Sequence, residues 1–258
     1  MEILRRNRSR GITATALRVW GMLFIAAGAI SRCVLQNTIL GLSSASAQEI
    51  LALLNDSSAN MALATAALAL QAAECCAVPV FALLLVEGFS HTKNWKQYLL
   101  RVAVVAVISE VPYDLAMQGK LWDMSAQNPS AGLVLGMVVL YLYSRFSQPV
   151  ASHKVLKVFV SVAAILWAEM LNIEHGTPLV LMVALFWLMR NRTSLRGLFG
   201  AAVALLCTVV SPFYMAASMG CLPVHMYNGE QGESNKMVNY LAYPVILLAV
   251  VIAAKYII

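Results

Sequence analysis

MALATAALALQAAECCAVPVFALLLVEGF, residues 61–89, carries only two acidic side chains, Glu74 and Glu87, and no basic one. A hydrocarbon core of ~30 Å needs about 20 apolar residues per helical crossing. This stretch is long enough to cross at a tilt, and Pro79 inside it predicts a kink. The rest of the chain has the same character. Hydrophobic residues make up 60% of the 258 and charged residues 12%, against ~45–50% and ~25% in soluble domains. The solvent is therefore a bilayer, and the fold class is all-α.

Working outward, Ile12 to Leu35 reads as a retained signal anchor behind Arg5, Arg6, Arg8 and Arg10, because it is longer than a ~7–15-residue signal h-region. Gln36 to Asn60 is a polar connection without Lys or Arg. Downstream, Tyr98 to Met117, Ala131 to Phe146, Val155 to Leu171, Pro178 to Met189, Gly197 to Ser218 and Val238 to Ile257 are further apolar segments. The turns between them alternate in charge. With the N-terminus inside, all of the 18 Lys and Arg except Arg32, Lys120 and Lys236 fall on the cytoplasmic side. The expectation is one transmembrane domain over residues 1–258, a polytopic bundle of about eight helices with both termini cytoplasmic.

The net charge of +6 is explained by these topogenic turns, so nucleic acid is not an expected partner. Cys33, Cys75, Cys76, Cys207 and Cys221 have no metal-site spacing and read as small packing residues; no metal is expected. Gly132 and Gly136 form a G-x-x-x-G, which predicts close helix contact and no chemistry. There is no P-loop, H-E-x-x-H, G-x-S-x-G or dinucleotide fingerprint. Nothing in the chain sets an oligomeric state.

Ionisable residues inside apolar segments cost about 2.5–3.5 kcal/mol on insertion scales and mark pairs or sites. Glu74, Glu110, Asp114 and Glu169 are of this kind, and Arg32 is placed to neutralise one of them. With Asn128, Glu174, His175, Tyr227, Asn228, Glu230, Glu233 and Tyr243 they give one half of the bundle a polar lining. Such a lining suits a proton-transfer site or a water-filled path equally.

Three stretches together resemble the TraX family of bacterial membrane proteins, named for the acetylase of the conjugative pilin N-terminus. Val78 to Thr92 is similar to its P-x-F…E-G-x-x-H-T signature. Ser109-Glu110-Val111-Pro112-Tyr113-Asp114, followed by Asn128, resembles a second element. Tyr227-Asn228-Gly229-Glu230-Gln231-Gly232, then Tyr240 and Tyr243-Pro244, resembles a third. Glu174-His175-Gly176 looks like a variant of an Asp-Tyr-Gly element.

The resemblance implies a multi-pass protein of the bacterial inner membrane. It also implies acetyl transfer from acetyl-CoA to an amine or hydroxyl at the outer face, with a pilin-like or small acceptor. Family members commonly carry Asp-His in the first span, where this chain has Ala27-Gly28-Ala29-Ile30-Ser31. Glu110 or His175 is then the expected base, with Asn128, Tyr227 and Asn228 completing the catalytic set. Glu87, His91, Lys93 and Lys96 are the expected donor-binding residues at the cytoplasmic turn. The alternatives are a catalytically silent relative serving as a membrane scaffold or assembly factor, and a small-solute transporter. The absence of a repeat linking the two halves speaks against the transporter.

Overall fold

The computed structural model describes residues 11–43, 45–148, 150–233 and 235–256. The basic residues Arg5 to Arg10 lie outside them. Helix α1 (Ala14–Ala29) starts where the Thr13 hydroxyl accepts from the Ala16 amide, and it continues without a break into a π-helical stretch, Ile30–Ile39. The connection after it is not all loop. Helix α2 (Ala47–Asp56) forms there on a reciprocal cap between Ser46 and Glu49.

Helices α3 (Ser58–Glu74) and α4 (Ala77–His91) are the quoted stretch. The break between them falls at Cys75 and Cys76, a turn before Pro79. Proline lacks the amide that would bond to the carbonyl four residues back and crowds that carbonyl, here Cys75. The backbone tightens instead, with Cys75 N bonding Ala72 O and Cys76 N bonding Ala73 O. The ring of Phe81 packs on Gly21, and Glu74 packs on Gly28, so α1 and its π continuation run antiparallel to α3 and α4. A Cβ at Gly28 would collide with the Glu74 carboxylate.

Helix α5 (Trp95–Gln118) ends on left-handed Gly119, and α6 (Pro129–Arg145) opens on Asn128, whose Oδ1 accepts from Ser130 N at 2.9 Å. Helices α7 (Ala151–Met170) and α8 (Gly176–Leu188) form a hairpin. Gly132 meets Leu179, and Gly136 meets Leu85 and Val183, so the G-x-x-x-G makes the close contact expected of it. Leu83, Met137, Leu140, Met182 and Phe186 fill the core between α4, α6 and α8, and all five cysteines are buried free thiols. Helices α9 (Thr193–Leu206), α10 (Tyr214–His225) and α11 (Lys236–Lys255) complete the fold.

The expectation of about eight crossings is overturned. Among the described residues four helices are long and apolar enough to cross a membrane: Ala14–Ile39, Ser58–His91, Ala151–Met170 and Val238–Lys255. The expected spans Ala131–Phe146 and Pro178–Met189 are the short apolar helices Pro129–Arg145 and Gly176–Leu188. The 13 residues of α8 cover only ~20 Å at 1.5 Å per residue. Helix α5 is long enough but holds Lys96, Arg101, Glu110 and Asp114.

Gly197 to Ser218 is not one helix. A 3₁₀ turn at Cys207–Val209 and the following Ser211-Pro212 reverse the chain, and α10 returns along α9. Gly197 meets His225, and Gly200 meets Cys221. Both outer ends of this hairpin therefore sit at one end of the bundle. The side assignment for the termini fails with the count. Ile12 bridges Tyr227 at that same end, whereas Lys255 lies at the other, sharing a small cavity with Cys33, Asn37 and Gly119.

The hairpin is testable by side-selective maleimide labelling of Asn191→Cys and Glu230→Cys, both exposed. The two positions should label from the same face of the membrane. Labelling from opposite faces would restore a crossing between them.

Candidate functional site

The most heavily charged interior point is built by four elements. Arg32 projects from the π-helical stretch, and its Nη2 donates to Glu74 Oε1 at 2.9 Å and Oε2 at 2.7 Å. Its Nη1 donates to Glu174 Oε1, and the Tyr113 hydroxyl of α5 donates to Glu174 Oε2 at 2.8 Å. Glu74 is the last residue of α3, just before the Pro79-induced break. Glu174 sits in the turn after α7, where Asn172 and His175 both adopt positive φ, 48° and 56°. Gln127 pins this turn, donating to Asn172 O and accepting from Glu174 N, each at 2.9 Å. Stretches of π-helix are uncommon and concentrate at functional sites. Burial pushes the Glu174 carboxyl up, but Arg32, the neighbouring His175 and the hydrogen bonds from Arg32 and Tyr113 outweigh it and hold the group below its ordinary value.

Through Glu74 this clamp borders one end of a cavity of about 520 Å³. Its floor presents Glu74, Ser130, His175 and Tyr243, its walls are apolar with Met22, Ile25, Phe81, Val102 and Leu133, and its mouth carries Arg18, His91, Tyr98, Arg101, Tyr227 and Tyr240. Ala77 lies at the floor and His91 at the mouth of α4, which puts the two ends ~20 Å apart at 1.5 Å per residue. Arg101 lies 5.9 Å from the Tyr240 ring centre. Arg18 Nη1 is buried and has no hydrogen-bond partner among the described residues.

His175 Nδ1 is 2.7 Å from the Tyr214 hydroxyl, with the two rings edge to face, and Nε2 has no partner among the described residues. Ligand-type atoms of Glu74, Glu174 and His175 fall within 4.8 Å of one another. Both carboxylates are already held by Arg32, so a metal ion there would have to displace the guanidinium.

The residues expected from the sequence are divided between separate places. Glu110 is buried against Asn128, which donates to it through Nδ2 and also reaches Ala106 O at 2.9 Å. Neither lines the cavity; together they fix the start of α6, which carries Ser130 to the floor. Among the described residues Glu110 does not meet Tyr227 or Asn228, with which it was expected to form one catalytic set, because the α9–α10 hairpin takes their loop to the mouth. There Tyr227 stacks under Arg196 at 5.5 Å, and Asn228 N bonds Ile12 O at 3.0 Å. Glu87 and His91 line the mouth; Glu87 accepts from Arg196 at 3.1 Å and lies 3.7 Å from His91. Lys93 and Lys96 are exposed on the turn and do not line the cavity. Sequence reasoning gave no site role to Arg18, Arg101 or Tyr214, and named Tyr240 only within a family-like stretch. Arg18 and Arg101 carried a signal, a cation inside an apolar helix, but topology had already accounted for both.

A family model described as TraX protein matches residues 49–254, and the chain belongs to that family. No curated protein and no solved structure matches it. The chain is a polytopic membrane protein of the TraX family.

Removing Arg32 leaves two buried carboxylates without their cation. Arg32→Ala should lower stability by about 3–5 kcal/mol, as for other broken buried pairs, read by denaturation in detergent; a change under about 1 kcal/mol would show the clamp to be solvated.

Acidification is a second test. A carboxyl held below its unfolded value contributes stability above the unfolded pKa, ~4.3 for Glu, and loses it as pH falls through the folded value. Wild-type protein should therefore lose melting temperature below that range, and Glu174→Gln should lack this share of the loss.

Proposed function

We propose that this protein is an acetyltransferase of the bacterial inner membrane that takes acetyl-CoA at the Tyr227 end and transfers its acetyl group to an amine or hydroxyl at the cavity floor. The observation that carries this reading is the cavity itself. It joins a basic, aromatic mouth to a floor holding His175 and the Arg32-paired Glu74 carboxylate, with the two ends ~20 Å apart along α4. Arg18 Nη1, without a hydrogen-bond partner among the described residues, suits an anionic group. Arg101, Tyr98 and Tyr240 offer charge and ring faces for the phosphates and base of the donor. Lys93, Lys96, Arg145, Lys154, Arg190 and Arg192 flank the same end, which makes it the cytoplasmic face and the natural entry for the donor.

At the floor, His175 is the base. The acceptor's lone pair forms a bond to the thioester carbonyl carbon while His175 accepts its proton, and the carbon–sulfur bond then breaks with the leaving thiolate taking that proton back from the imidazolium. Tyr214 orients the imidazole through Nδ1. Positive charge developing on the ring is offset by Glu74 and Glu174, whose ligand-type atoms lie within 4.8 Å, since Arg32 neutralises only one of them. The Ser130 and Tyr243 hydroxyls are the donors available to the carbonyl oxygen. Asn128 supports Ser130 from behind rather than meeting the substrate. The acceptor approaches from the Glu174 side, where the family name suggests a pilin-like N-terminus.

Purified protein in detergent should bind acetyl-CoA and transfer its acetyl group to a pilin-like peptide amine. His175→Ala should lower turnover by about 10²–10⁴-fold, the usual cost of losing a general base, with little change in donor binding. Arg18→Gln and Arg101→Gln should instead raise the apparent KM for acetyl-CoA, and exposed Lys93→Gln should have a smaller effect than either. Wild-type protein that binds no acetyl-CoA would leave the chain as a family member that keeps the fold and serves as a scaffold.

A further inference from the structure

Between α5 and α6 the chain exposes an apolar cluster that neither the bundle core nor the cavity uses. Leu121 is 70%, Trp122 64% and Met124 68% exposed. The segment carrying them is held in place. Asp123 N donates to Asp114 Oδ2 at 2.9 Å, Ser125 N donates to Asp123 Oδ1 at 2.8 Å, and Gln127 is paired with the Glu174 turn. Outward display of three large apolar side chains is thus a property of an ordered segment with fixed ends.

We propose that residues 119–128 are a membrane-interface anchor, with Leu121, Trp122 and Met124 seated among the lipid headgroups and upper acyl chains at the Lys255 end of the bundle. Three observations favour lipid over a protein partner. The segment starts at Gly119, which shares a small cavity with Lys255, the end of a bilayer-length helix. It finishes beside the C-terminal end of α7, another such helix, whose own last turns expose Leu166, Trp167 and Met170 at the same end of the bundle. Its two charges are paired with each other, Lys120 Nζ to Asp123 Oδ2 at 2.7 Å, which removes net charge from the segment. Tryptophan is the residue enriched at this depth, where its ring is apolar and its N–H remains wet.

The anchor has a structural consequence. Gln127 is two residues beyond Ser125 and holds the turn that carries Glu174 and His175. Fixing the segment in the interface fixes the depth of that turn relative to the lipid surface. The inference stands on membrane residence alone and does not depend on acetyl transfer.

The test uses the full chain in phosphatidylcholine vesicles containing lipids brominated either near the headgroup end or near the methyl end of the acyl chains. The emission lost in Trp122→Phe relative to wild type isolates the Trp122 signal while leaving Trp95, stacked on Tyr141, and buried Trp187 untouched. That signal should be blue-shifted, quenched more by the shallow bromines than by the deep ones, and protected from aqueous iodide. Quenching by iodide with no response to either lipid would place the loop in water and overturn the proposal. Stronger quenching by the deep bromines would overturn the interfacial depth. A nitroxide on Trp122→Cys gives an independent reading, since the native thiols are buried. Oxygen should relax it more than a water-soluble nickel complex does, and the reverse order would contradict the anchor.

Discussion

The Arg32 guanidinium, held between two carboxylates, is the interaction on which the rest of the interior depends. Charged groups far from water must be paired, and breaking such a pair costs more than forming it gains. The clamp satisfies this by drawing together the π-helical stretch, the end of α3, the turn before α8 and Tyr113 of α5. Each of those positions has a local cause. The π stretch sets the register of Arg32, Pro79 breaks the helix beside Glu74, and two left-handed residues shape the turn at Glu174. Gly28 leaves the room that the Glu74 side chain fills. His175 is next in sequence to a clamped residue, so its position is set by the same contacts.

The bundle is divided along its length. One end collects basic turns, the Tyr227 loop and the mouth of the cavity; the clamp and His175 lie at the other end of that cavity, ~20 Å along α4. The α9–α10 hairpin is what produces this division, because it brings the chain back to the mouth before α11 begins. Glu110 and Asn128 stand apart from both ends. Their hydrogen bonds fix the start of α6, so they act on the floor through Ser130.

Membrane residence, the four long apolar segments, the G-x-x-x-G contact and the pairing role of Arg32 were legible in the residues. So was the family, through three separated motifs. The crossing count was not, since apolar composition marks a helix without saying whether the helix continues. Gly197 to Ser218 is as apolar as a span, and only Ser211-Pro212 hints that it folds back. That single misreading moved Tyr227 and Asn228 to the wrong end and joined them to Glu110. Arg18 and Arg101 were hidden for a different reason. A cation near the start of a helix serves topology and ligand binding equally well, and only the cavity separates the two roles.

The central claim is that one ligand reaches from the basic mouth to the floor beside His175. A coenzyme A analogue bearing a photoreactive acyl group on sulfur tests it directly, by mapping where the reactive end inserts. The account predicts insertion at the floor, in the peptides containing Ser130 or Leu179, with loss of labelling when acetyl-CoA competes. Insertion confined to the turn around Lys93 and Lys96, or labelling that acetyl-CoA does not displace, would contradict it.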